Sequence, residues 1–210
     1  MTPIQISLHN VGKRFNHEWV FRGIDHTFKQ DQHTVILGAN GSGKSTLLQT
    51  VLGSTVSSEG EIKYTINGKN YKVDESLGLF SIAAPYLELV EEFTLTEAFE
   101  FHQKMVPFKA GLTIDGIIET LYLTEAKGKG IRYFSSGMKQ RAKLGLALLS
   151  DTPFVLLDEP TSNLDAKAID WYQQLVEENK DGRILIVCSN DQKTEFSFCT
   201  QQLNVGDYKV

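Results

Sequence analysis

Residues 34–53 run TVILGANGSGKSTLLQTVLG: a short apolar stretch, a glycine-rich turn, then apolar residues at helical spacing. This junction constrains the fold more than any other feature. An apolar strand without alternation needs cover on both faces, which a parallel sheet between helices supplies. Two more segments have the same character, FVLLD at 154–158 and RILIVCS at 183–189. Helical patterns occupy 137–150 and 166–180, so strand, turn and helix recur in the order of a doubly wound α/β core.

Two regions break this rhythm. Residues 59–73, EGEIKYTINGKNYKV, alternate with period two around Asn67 and Gly68, a strong hairpin signal. The opening segments ISLHNVGKRF and WVFRGIDHTF also read as antiparallel strands. Residues 94–130 read as helical, entered through a capping-box pattern from Thr94 to Glu97. The expected organisation is a parallel core, a small N-terminal antiparallel sheet and an inserted helical lobe.

The bulk composition excludes several function classes. A chain of 210 residues, 41% hydrophobic and 22% charged, fits one globular domain. Its formal charge of -5 disfavours a nucleic-acid partner. Cys188 and Cys199 are too few for a disulfide framework and lack metal-ligand spacing. MTPIQISLHN has neither a basic segment nor a long apolar run, so no secretory leader is expected. No stretch approaches the ~18 apolar residues of a membrane span, so any membrane work needs another chain to cross it.

Chemistry concentrates first at 38–46, GANGSGKST, which fits G-x-x-x-x-G-K-[ST] between a strand and a helix. Gly38, Gly41 and Gly43 allow the close wrap through Ala39, Asn40 and Ser42, whose N–H groups can cradle phosphates. Lys44 is the candidate for neutralising the β- and γ-phosphates, and Ser45, beside Thr46, for ligating Mg²⁺. The competing reading is a glycine-rich turn that binds nothing. Asp158 and Glu159 supply the second half: one carboxylate ends a buried strand where it can hold Mg²⁺ through water, and the next can polarise an attacking water. Upstream, Ser135, Ser136 and Gly137 precede a helix whose apolar face would use Met138, Ala142, Leu146 and Leu149. Small residues at a helix N-terminus suit an anion, or simply cap the helix.

The order GANGSGKST, FSSGMKQR and VLLDEPTSNLD resembles the ATP-binding cassette (ABC) ATPase family across essentially the whole chain. The resemblance implies a P-loop NTPase fold in one domain over 1–210, with the nucleotide-binding core at 1–84 and 151–210 and the helical subdomain at about 85–150. The signature LSGGQ is matched by residues 134–138, which keep Ser135 and Gly137, and the loop after the glutamate by 162–165, ending in Asp165. Phe15 falls where an aromatic residue of the family stacks on adenine. It further implies a head-to-tail dimer, of this chain with itself or a related subunit, sandwiching two ATP molecules with Mg²⁺. Lys44, Ser45, Asp158 and Glu159 of one chain would face Ser135 and Gly137 of the other.

Two family positions differ. There is no glutamine between residues 50 and 102, so Ala84 or Pro85 stands where the family's Mg²⁺-ligating glutamine is expected, and a water can fill the vacated position. His102 is the last histidine, so the family's switch histidine is replaced by Asn190, at the end of RILIVCSN on the ligand-binding edge. Asparagine still donates and accepts but cannot become a cation. The leading expectation is an ATPase subunit at the inner face of the cell membrane, driving a separate permease that docks near 84–93. A soluble non-transport member of the family, and a subunit that binds ATP with little hydrolysis, stay open as alternatives.

Overall fold

A computed structural model describes residues 4–76 and 78–209. Two sheets carry the chain. In the first, β1 (Gln5–Phe15) pairs antiparallel with both β2 (Glu18–Lys29) and β4 (Glu59–Ile66), and β4 pairs with the short β5 (Lys69–Tyr71). Asn67 and Gly68 join the last two with φ of 52° and 79°, the twist-matched two-residue turn that their sequence predicts. β1 bulges after Leu8, where Asn10 has a φ of 49° and its N–H donates to Asp25 Oδ1 at 2.8 Å. Gly60 is obligatory opposite that bulge, since a Cβ there would lie 2.2 Å from the Asn10 carbonyl oxygen.

The second sheet is parallel throughout. Its strands are β3 (Thr34–Leu37), β6 (Phe80–Ala83), β7 (Phe154–Asp158), β8 (Ile184–Ser189) and β9 (Gln201–Asn204), in the order β6-β7-β8-β3-β9. Every residue of β7 and β8 is buried, as their unbroken apolar content requires. β6 and β9 lie at the sheet's edges and were not expected from sequence. FSIA carries a serine among its apolar residues, and QQLN is polar at three of four positions, so neither gives a buried-strand signal. A polar edge strand also discourages pairing with another chain.

Helices cover both faces: α1 (Lys44–Leu52), α2 (Leu95–Met105), α3 (Ile114–Thr120), α4 (Ser136–Leu148), α5 (Ala166–Asn179) and the short α6 (Lys193–Phe196). One apolar cluster joins α1 and the antiparallel sheet to the parallel sheet through Tyr64, Phe154 and Leu48; another joins α2 to α5 to its opposite face through Phe99, Leu144 and Tyr172. The Thr94 N-cap is reciprocal as expected, with Glu97 N–H donating to Thr94 Oγ1 and Thr94 N–H to Glu97 Oε2. The buried face of α4 is wider than the expected one: Ala142 and Leu149 are buried and Met138 and Leu146 pack half-buried against the same cluster, while Leu144, Ala147 and Leu148 are enclosed as well. Gly145 contributes to this: a Cβ there would meet Leu121 Cδ1 at 2.6 Å, so its absence lets Leu121 press against the helix beside Leu144 and Leu148.

Candidate functional site

The parallel strands end together at one edge, and the loops leaving β3, β7 and β8 meet there. The 38–43 loop folds tightly, with Ser42 N–H donating to the Ala39 carbonyl at 3.0 Å. Gly43 holds φ at 104°, where a Cβ would strike Val20 Cγ1 at 2.4 Å. The loop delivers the chain into α1, whose first turn has no acidic residue, leaving its N–H groups available to an anion. Asn40, Gly41, Gly43, Lys44, Ser45 and Thr46 line a cavity of about 430 Å³ together with Val20 and Glu159.

Lys44 is 5% exposed, and its three ammonium protons have three acceptors: the carbonyls of Gly38 at 2.7 Å and Ala39 at 3.2 Å, and Asn190 Oδ1 at 2.5 Å. The Asn190 amide turns its other end outward, Nδ2 donating to Glu159 Oε1 at 2.8 Å. Only this amide orientation satisfies both neighbours, because an ammonium has no acceptor and a carboxylate no donor. Asn190 therefore joins the loop lysine to the carboxylate that ends the β7 turn. Glu159 itself holds a φ of 45°, uncommon for a side chain of its size, with its N–H donating to the Cys188 carbonyl at 3.0 Å. Asp191, on the same edge, also has positive φ, at 68°.

Asp158 is 2% exposed, and its Oδ2 has no hydrogen-bond partner. Burial raises its pKa, opposed by a hydrogen bond from Ser45 and reinforced by the charge of Glu159. A buried carboxylate oxygen without a partner is costly. Next to a serine hydroxyl it suits a hard cation that takes oxygen ligands and keeps several waters, so these residues fit Mg²⁺. Tyr86 belongs to this neighbourhood too: partial burial pushes its phenol up to about 12, and the charge of Asp158 acts in the same direction. Ala84 is fully buried and Pro85 exposed; neither offers a side-chain ligand, although both carbonyls accept from Lys143 Nζ, at 3.3 and 3.4 Å.

Other candidates lie apart from this cluster. Ser135 and Ser136 are exposed, and Ser135 Oγ accepts from Met138 N–H at 3.2 Å as the N-cap of α4. Gly137 packs near the loop after Glu159, where a Cβ would come 3.1 Å from the Asn163 carbonyl. Asp165 caps α5, its Oδ1 accepting from Ala168 N–H at 2.8 Å. Phe15 ends β1; the residue is 53% exposed, and Lys13 Nζ lies 4.7 Å from its ring centroid. None of these five lines the Lys44 cavity. A larger cavity of about 770 Å³ beside the same loop is lined by Gly38, Ala39, Asn190, Asp191 and Lys193 among others. Glu195 was missed from sequence. It is 3% exposed behind the edge, where an acidic residue in a short polar segment gives no signal of burial.

Residues 21–162 match the family model described as "ABC transporter". The chain is 28% identical to the uncharacterized ABC transporter ATP-binding protein YybJ of Bacillus subtilis (strain 168), covering 96% of this chain and 92% of that protein. It is 24% identical to the linearmycin resistance ATP-binding protein LnrL of the same organism, and 32% identical to the Nod factor export ATP-binding protein I of Rhizobium sp. (strain N33). These alignments cover 96% and 80% of this chain, but 66% and 56% of the two relatives. Among solved structures, a putative ABC transporter ATP-binding protein from Pyrococcus furiosus superposes with a TM-score of 0.81 at 20% identity, covering 98% of this chain and all of that one. At that identity the likeness speaks for the fold.

Proposed function

The chain belongs to the ABC transporter family, as an ATP-hydrolysing, nucleotide-binding subunit of the kind that drives a permease, and we propose that its chemistry runs through Lys44, Asn190 and Glu159. The observation that carries this is the asparagine amide bonded to both reacting groups, at 2.5 and 2.8 Å. Lys44 and the N–H groups of the 38–46 loop hold the phosphates of ATP. Ser45 directly, and Asp158 through water, would hold Mg²⁺, which when bound neutralises the charge of the β- and γ-phosphate oxygens. Glu159 accepts the proton of the attacking water, and its strained backbone with the Asn190 bond fixes where that carboxylate points. Asn190 takes the place of the family's histidine as a neutral donor and acceptor, so hydrolysis proceeds without a cation at that position.

One chain supplies half of each site in this reading. Ser135, Ser136, Gly137 and Asp165 lie outside their own chain's cavity and, apart from Gly137, are exposed, which suits a head-to-tail dimer in which a second copy or a related subunit closes over ATP. The exposed Phe15 ring, backed by Lys13, is offered to adenine. The test is the Glu159→Gln variant, whose mass in solution should double on adding Mg²⁺ and ATP. A monomer at saturating nucleotide would count against a sandwich of two copies and leave only the pairing with a related subunit.

No helix among the described residues is long and apolar enough to cross a membrane. The membrane partner in this reading is a separate permease with this subunit at its cytoplasmic face, which the family match and the transporter ATP-binding relatives support. Its proposed docking surface is Tyr86, Leu87 and Val90, between 39% and 47% exposed, whereas Leu89 and Phe93 pack against the core. Charged substitutions at those three residues should abolish co-purification with the permease; unchanged capture would remove this surface from the account.

A further inference from the structure

Behind the Lys44–Asn190–Glu159 chain lies a second polar group that the ATPase reading does not use. Glu195, on α6, is 3% exposed and bonded through both carboxylate oxygens. Oε1 accepts from Thr161 Oγ1 at 2.8 Å and Thr161 N–H at 3.4 Å, and Oε2 accepts from Ser189 Oγ at 2.5 Å. Ser189 is fully buried and Thr161 4% exposed. The backbone of Glu195 is fixed in turn, its carbonyl accepting from the buried Tyr172 hydroxyl at 2.8 Å, while Gln192 N–H donates to Ser189 Oγ at 3.1 Å. No cation pairs with Glu195 among the described residues.

Burying a carboxylate without a cation is unfavourable unless hydrogen bonds replace its water. Here every donor comes from one of two segments, one carrying Glu159 and the other carrying Asn190. Thr161 lies two residues after Glu159, and Ser189 immediately precedes Asn190. We propose that Glu195 is a positioning residue that ties the loop after β7 to the end of β8, and so keeps Glu159 within hydrogen-bond reach of Asn190. The inference rests on the ATPase reading above and adds to it a residue in contact with neither substrate nor metal.

The test compares ATP turnover, ATP Kd by calorimetry and thermal midpoint for the wild-type protein, Glu195→Gln, Glu195→Ala, and Glu195→Ala combined with Asn190→Ala. An amide at 195 keeps an acceptor for Thr161 and offers a donor to Ser189, so Glu195→Gln should stay within about threefold of wild type in kcat. Glu195→Ala should lower kcat about tenfold or more while ATP Kd moves less than about threefold. In the Asn190→Ala background the same change should cost less than about threefold, because the geometry it protects is already lost. A wild-type kcat in folded Glu195→Ala, or an equal loss in both backgrounds, would overturn the proposal. Should Glu195→Ala not fold, Thr161→Val and Ser189→Ala each remove one tie; a reduced kcat at unchanged Kd supports the proposal and a wild-type kcat in both overturns it. A wild-type protein without turnover would instead overturn the ATPase reading, and this inference with it.

Discussion

Lys44 and Arg183 are both cations at 5% exposure, at opposite ends of the same parallel sheet, and neither pairs with a carboxylate among the described residues. Arg183 uses all five of its N–H donors on fixed acceptors: the carbonyls of Leu148, Ser150, Thr152 and Asn179, and Thr152 Oγ1. Those carbonyls lie at or beyond the C-terminal ends of α4 and α5, where a buried cation completes bonds that the helices leave open. Burial draws its pKa down to about 10, so it is charged at neutral pH. Lys44 shares its protons between two loop carbonyls and one side chain, and that side chain also holds Glu159. The arginine ties four backbone carbonyls together, whereas one of the lysine's three acceptors is a side chain that also bonds a carboxylate. Burial alone does not separate a structural cation from a functional one; the identity of its acceptors does.

The widest separation between the two should come from Arg183→Met. It leaves the carbonyls of Leu148, Ser150 and Thr152 without partners and should cost about 3–5 kcal/mol, lowering the thermal midpoint by about 10 °C. Turnover per folded molecule should stay within about twofold. A loss of kcat without a loss of stability would place both cations in one class. A smaller effect, of the opposite kind, is expected at Asn190. Removing its amide by Asn190→Ala should lower kcat about tenfold, or ~1.4 kcal/mol, while the midpoint shifts by no more than about 2 °C. Asn190→His should leave turnover intact or raise it, since the imidazole can occupy the same place between Lys44 and Glu159 and also carry charge.

What could be read from sequence follows the range over which each feature is determined. The phosphate loop and the strands ending in Asp158 and Ser189 are local, since glycines at fixed offsets and unbroken apolar runs carry their own conformational signal. The Asn67-Gly68 hairpin and the Thr94 cap are local in the same sense. β6 and β9 are strands only because β7 and β3 offer them an edge, so FSIA and QQLN carry no pattern of their own. The Asn190 position was legible through the histidine that the family resemblance led one to expect. Its two hydrogen bonds were not, because they join it to side chains 146 and 31 residues away in sequence. Glu195 was hidden more completely, since its partner Thr161 is 34 residues distant and nothing near it in sequence announces burial.

The proposed role of Glu159, held by Asn190, is that of the base of an ATPase. The most direct measurement is steady-state ATP turnover with Mg²⁺, wild type beside Glu159→Gln, with ATP affinity measured on both. Turnover is expected in the wild type, with a loss of about a hundredfold or more in the variant and ATP binding retained in each. Equal turnover in the two proteins would contradict it.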